Sequence, residues 1–310
     1  MKYSVGLQKC NYNFVDNIIK NKEHIHEVYF SWGDFPSGRS SQTLSENHTP
    51  WEMIDIQKQF LKSLSDENIS LNLLLNANCY GKDSQSRAFF NKIGDTIDYI
   101  NSNYGLSSIT TTSPLIAKFV KNNFDSIEVR ASVNMEIGTI EGMEYISEYF
   151  DGYYMKRELN RDFNAIEHLH NWCMQNSKKL YMLANSGCLN FCSAHNFHDN
   201  LVAHENEISE MNNAYNFTGV CSEFLKNENN LKKLYNYTNF VRPEDMSKYD
   251  RYFTAAKLAT RVHNTAELVL DTYIKGKYSG DILRLLEPAH SIYPYVLENG
   301  EPPIIKRIDK

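Results

Sequence analysis

The 310-residue sequence nowhere runs through 18 consecutive apolar residues, which argues against a membrane-spanning helix. Its opening "MKYSVGLQKCNYNF" has no apolar signal segment, so a soluble, cytoplasmic protein is expected. An excess of positive charge is also missing. The 32 Lys and Arg against 38 Asp and Glu leave a net charge of −6, mixed along the chain, with no basic stripe for non-specific nucleic-acid binding. Pro- or Gly-rich linkers, low-complexity tracts and close repeats are absent, so one domain over residues 1–310 is expected. No G-x-G-x-x-G follows the first strand candidate, which weakens a dinucleotide-binding open sheet. Cysteines number only six. In a reducing compartment they are not expected to pair as disulfides, so clustered thiols point to metal or redox chemistry.

What is present is an alternation of apolar, strand-like runs with helix-like stretches. The strand candidates are 27–32, 70–76, 106–112, 126–132, 150–156, 179–185, 238–244 and 254–261. Between them lie helical patterns such as "MIDIQKQFLKSL", "FFNKIGDTIDYINSN", "TIEGMEYISEYF" and "NAIEHLHNWCMQN". Eight alternating units predict an α/β fold, a single-domain (β/α)8 TIM-type barrel, with an open doubly wound sheet as the alternative.

A barrel of this type works at the C-terminal ends of its strands. Cys79 follows the second candidate; Arg130 lies in the fourth; Lys156, Arg157 and Glu158 end the fifth. Arg242, Glu244 and Asp245 belong to the seventh, and Lys257 and Arg261 to the eighth. So many cations repel one another unless an anion or carboxylates intervene, which predicts an acidic small-molecule ligand, or else a structural ion-pair network with Glu158, Glu244 and Asp245. Only one of Lys156 and Arg157 can face inward.

After the sixth candidate comes a long loop, about 186–237, opening with "SGCLNFCSAHNFHDN". Cys188-x3-Cys192 lets two thiolates reach one ion or cluster, with Cys221 and Cys79 as the best remaining donors for a [4Fe-4S] cluster. Cys188, Cys192, His195 and His198 also lie within zinc spacing, as a Cys2His2 set. A cysteine nucleophile with His195 or His198 as its base is the third option. His195, His198 and Asp199 could instead move protons beside a cluster, or His198 and Asp199 could cap a helix beginning near "HDNLVAHENEISEM". A radical-SAM motif fails because His195 stands at its third cysteine. Cys10, Cys173 and the other histidines, His204 among them, read as packing or surface.

The stretches "LYMLANSGCLNFCSAHNFHDNLVAHE", "LLLNANCYG", "TNFVRPEDM" and "AAKLATRV" together resemble the collagenase-like peptidase family, peptidase family U, number thirty-two, over about residues 25–290. The resemblance implies a barrel carrying an oxygen-sensitive [4Fe-4S] cluster on cysteines. It also implies oxygen-independent hydroxylation of a nucleoside or quinone precursor, with prephenate as oxygen source, behind an older peptidase label. The chain resembles the short, ubiquinone-pathway members, which can act as paired subunits and one of which takes a ligand where Cys79 stands. Unlike the family pattern, it has no "GNRG-x-C" stretch, and only Cys221 in "TGVCSEF" stands for the later cysteine.

Overall fold

Strands that lie between a filled barrel interior and an outer layer of helices are buried on both faces, and short runs rich in Val, Ile, Leu and Tyr satisfy that requirement. The computed structural model describes residues 1–38, 48–290 and 294–307. Its barrel strands are β1 (Tyr3–Gly6), β2 (Ile25–Phe30), β3 (Leu71–Leu75), β4 (Ser108–Thr111), β5 (Glu128–Ala131), β6 (Gly152–Tyr154), β7 (Lys179–Leu183) and β8 (Ala255–Leu258). Every neighbouring pair is parallel, and β1 pairs with both β2 and β8. The predicted TIM-type barrel is the observed architecture; closure removes the open sheet.

The membership of the barrel differs from the expectation at two places. Residues 238–244 are not a strand: Pro243, which has no N–H to give a sheet, opens a 3₁₀ helix over Pro243–Tyr249. That segment instead runs beside the end of β7, with Val241 N–H donating to the Ala184 carbonyl at 2.8 Å. The missing strand is β1, only four residues long, yet buried throughout.

The helices follow the expected pattern: α1 (Tyr12–Lys20), α2 (Pro50–Asp66), α3 (Arg87–Tyr104), α4 (Pro114–Asn123), α5 (Ile140–Glu144) and α6 (Phe163–Gln175). On α2, Met53, Gln57, Phe60, Leu61 and Leu64 recur every three or four residues and form the buried face. Thr49 and Glu52 close a capping box in front of Pro50. The "TIEGMEYISEYF" pattern yields only the short α5. Between β7 and β8 the expected loop is itself helical, with α7 (His195–Ala203), α8 (Glu205–Ser209) and short helices up to Tyr237. Its base is sewn shut by Asn190 N–H to the Tyr237 carbonyl (2.7 Å) and Asn239 N–H to the Cys188 carbonyl (3.0 Å).

The lower, N-terminal half of the barrel interior is polar. Glu27, fully buried, accepts from Ser4 Oγ (3.0 Å), Ser108 Oγ (3.2 Å) and Arg130 Nη1 (2.6 Å). Arg130 Nε also donates to Glu128 Oε1 (2.6 Å), which receives the Tyr181 hydroxyl (2.9 Å). Burial pushes the Glu27 carboxyl up, but the Arg130 guanidinium, His26 and the Ser4 hydroxyl together outweigh it and the net shift is downward. The same contest holds Glu128 at about 2.

Candidate functional site at the barrel mouth

The C-terminal strand ends open onto a cavity of about 290 Å³. Six residues singled out from the sequence line it: Arg157, Cys188, His198, Asp199, Lys257 and Arg261. Lys257, on β8 and 8% exposed, holds its ammonium 4.0 Å from the centre of the Tyr29 ring and 5.4 Å from that of Tyr154, faces that attract a cation. Burial pushes the Tyr29 hydroxyl up to about 12, so it remains protonated and donates to the Leu258 carbonyl at 2.8 Å. Arg261 crosses the end of β1. A Cβ on Gly6 would stand 2.8 Å from Arg261 Cβ and 2.7 Å from the Tyr29 ring, so only glycine admits this close approach.

Arg157, in the turn after β6, is the hub of the far wall. Its Nη1 lies 3.5 Å from Cys188 Sγ, and its Nη2 contacts His195 Nε2 and stands 3.9 Å from Asp199 Oδ2. His195, buried at the start of α7, presents Nδ1 to Glu136 and Nε2 to Asp199 at 3.2 Å. Asn78 Nδ2, from the loop after β3, reaches Asp199 Oδ2 at 3.5 Å. The helix-cap alternative for His198 and Asp199 does not hold. Helix α7 begins at His195 behind Ala194, which puts His198 and Asp199 inside it, with Asp199 one turn beyond His195.

The thiols divide into two groups. Burial raises the Cys221 thiol first, and the charges of Cys188 and then Cys192 raise it further, so these three sulfurs share one neighbourhood. Cys79 instead pairs with His204. The His204 imidazole first, and then the Gly81 N–H donating at 3.4 Å, hold the Cys79 thiol below its ordinary value. Cys79 in turn raises His204, whose Nδ1 is 3.1 Å from Glu207 Oε2. His204, read from the sequence as packing or surface, therefore belongs with Cys79. The Cys188, Cys192, His195 and His198 donors are not drawn to one point. Among the described residues, the His/Cys/Asp/Glu group whose ligand atoms all lie within 4.8 Å of one another is Glu136, Glu158 and His195. Cys173 is buried packing on α6, as expected, and Cys10 is half-buried.

Three of the cations do not join the cavity wall. Arg130 is locked in the lower ionic layer, bound to Glu27 and Glu128. Lys156 lies beside Gly138 while its neighbour Arg157 turns inward. Arg242, outside the barrel strands, pairs with Asp245 and Glu301. Glu244 serves the Tyr278 N–H and Asn299. The ion-pair alternative thus describes Arg130 and Arg242, though with partners the sequence reading had only half identified. Glu27 and Glu136 were missed because each meets its partner from a distant strand or helix, whereas Glu128 meets Arg130 two residues along its own strand.

Fold and site define a parallel α/β-barrel protein whose mouth carries a thiol and both signs of charge, Arg157, Lys257 and Arg261 beside Asp199, Glu205 and Glu287. No family model matches the chain. It is 24% identical over 292 residues to a Methanocaldococcus jannaschii protein named uncharacterized protease MJ1657, covering 90% of this chain and 81% of the relative. Among solved structures it is similar to the U32 peptidase Mk0906, with a TM-score of 0.54 and 14% identity over 70% of this chain and 82% of that one. The likeness in sequence and the likeness in fold bear out the resemblance to U32-peptidase-like proteins. No helix among the described residues is long and apolar enough to cross a membrane.

Proposed function

We propose that the chain is a thiol-dependent hydrolase of the U32-peptidase-like kind, acting on a substrate whose anionic end enters the barrel mouth. The row Cys79–His204–Glu207 carries this reading: His204 is the first cause of the lowered Cys79 thiol, and its Nδ1 lies 3.1 Å from Glu207 Oε2, the order of thiol, imidazole and carboxylate that activates a nucleophile. His204 takes the Cys79 proton as sulfur attacks the carbonyl carbon, and returns it to the departing amine; water then cleaves the thioester. Arg157, Lys257 and Arg261 line the cavity beside Asp199, Glu205 and Glu287, and the three cations supply the contacts for an acidic ligand such as a dicarboxylate. The names protease and U32 peptidase carried by the two similar proteins support hydrolysis over other acyl chemistry.

A second reading has its own observation in the shared neighbourhood of Cys188, Cys192 and Cys221. Three such sulfurs fit a [4Fe-4S] cluster, whose corner ligands stand farther apart than those of a single ion, with Cys79 as the fourth ligand. The cluster, when bound, supplies electron-transfer chemistry for an oxygen-independent hydroxylation with an acidic oxygen donor. The two readings compete for Cys79, and one comparison separates them. Parent, Cys79→Ala and Cys188→Ala proteins are purified without oxygen, assayed for iron and labile sulfide, and tested for amine release from a peptide library. Cleavage by cluster-free protein that drops at least a hundredfold in Cys79→Ala supports the hydrolase. Stoichiometric iron and sulfide lost from both variants, with no amine released by the parent, overturns it in favour of the cluster.

A further inference from the structure

Behind the cavity wall, on the side of His195 that faces away from Arg157, two carboxylates converge. Glu136 comes from the turn after β5 and Glu158 from the turn after β6, and with His195 Nδ1 their ligand atoms lie within 4.8 Å of one another. Like charges this close repel unless a cation lies between them. Glu136 contacts His195 Nδ1 directly. Glu158 Oε2 is buried and has no hydrogen-bond partner in the protein, an arrangement that costs free energy if nothing binds there. The nearby guanidinium does not serve it, because Arg161 donates to the Phe240 carbonyl at 2.6 Å and to the Thr238 carbonyl. Glu158 also borders a surface pocket with Arg161, Asp162 and Tyr235, which gives the group a route to solvent.

We propose that Glu136, Glu158 and His195 bind a divalent metal ion that prefers oxygen and nitrogen ligands, such as Mn²⁺. Two carboxylates and one imidazole form a donor set for such an ion and leave further positions to water. A ligating imidazole nitrogen offers its lone pair, so in the bound state the neutral ring of His195 carries its single proton on Nε2. Asp199 Oδ2, 3.2 Å from Nε2, then accepts the Nε2–H of the metal-bound tautomer in place of the Arg157 Nη2 contact, the carboxylate–histidine–metal arrangement that fixes ring orientation. The site is separate from the thiol groups, and thiolates are poor ligands for Mn²⁺. It ties α7, and through Arg157 the wall of the cavity, to the turns after β5 and β6.

The test is a titration of chelator-treated full-length protein with Mn²⁺ alone, following loss of the free-ion electron paramagnetic resonance signal. The expected result is one bound ion per chain, with affinity at least tenfold weaker in Glu136→Gln and in Glu158→Gln. Thermal melts guard against misfolding. Without metal, Glu158→Gln is expected to melt no lower than the parent, because it removes one of two adjoining negative charges, and Mn²⁺ is expected to raise the midpoint of the parent only. Failure of the parent to bind at millimolar Mn²⁺, or binding that both substitutions leave unchanged, overturns the proposal.

Discussion

The two ends of the barrel use the same residue types for opposite purposes. In the lower half Arg130 is enclosed by Glu27 and Glu128, with its guanidinium 4.3 Å from the centre of the Tyr181 ring, and the network fills the space between the strands. At the mouth Arg157, Lys257 and Arg261 surround a cavity of about 290 Å³. A cation in this barrel is therefore locked in a closed ion-pair layer or set on the wall of a cavity according to how far along the barrel it sits. The lower network is closed and the upper one opens on a space that a ligand can enter.

That contrast is sharpest where the lower network is broken. Arg130→Met leaves Glu27 buried without its cation, and removing one partner of a buried pair costs about 3–5 kcal/mol; denaturant unfolding is expected to show this loss or outright failure to fold. Acid probes the same layer next. The carboxyl of Glu128 falls from 4.5 to about 2 on folding. A depressed carboxylate adds stability above its unfolded value and loses it as pH falls through the folded one. Melting midpoints should therefore decline between about pH 4.5 and pH 2, with up to about 3 kcal/mol at stake, and Glu128→Gln should flatten that limb.

At the mouth the expectation reverses, with ligand affinity changing and stability holding. Lys257→Met and Arg261→Met are each expected to weaken binding of a dicarboxylate about tenfold, about 1.4 kcal/mol, by calorimetry, while the melting midpoint changes little. Equal losses of affinity in an Arg130 variant that still folds would break the division between the two ends. The smallest effect belongs to Arg242, whose partner Glu301 is 77% exposed. Arg242→Gln should cost under about 1 kcal/mol and leave dicarboxylate affinity unchanged.

Much of this molecule was legible locally. The period of apolar runs and the doubly buried strands are decided within a few residues, and they led to the barrel. The cluster of residues after β7 was visible because its cysteines and histidines are close in sequence. The edges of the pattern were harder to see. Strand β1 is too short for periodicity to register, and 238–244 has a strand's composition but a proline that gives it away.

What the sequence determined alone is the alternation of elements, the closed parallel barrel they build, and the chemical types available at its mouth. Only the tertiary structure decided which of those groups meet. Glu27 and Arg130 are 103 residues apart, and His195 and Glu136 are 59 apart. Cys79 could not be matched to His204, nor Cys221 to Cys188 and Cys192, by spacing. The reason is physical: periodicity records which face of an element is buried, whereas an ion pair or a nucleophile–base pair depends on the register between distant strands and helices, and a shift of one residue sends a strand side chain to the opposite face.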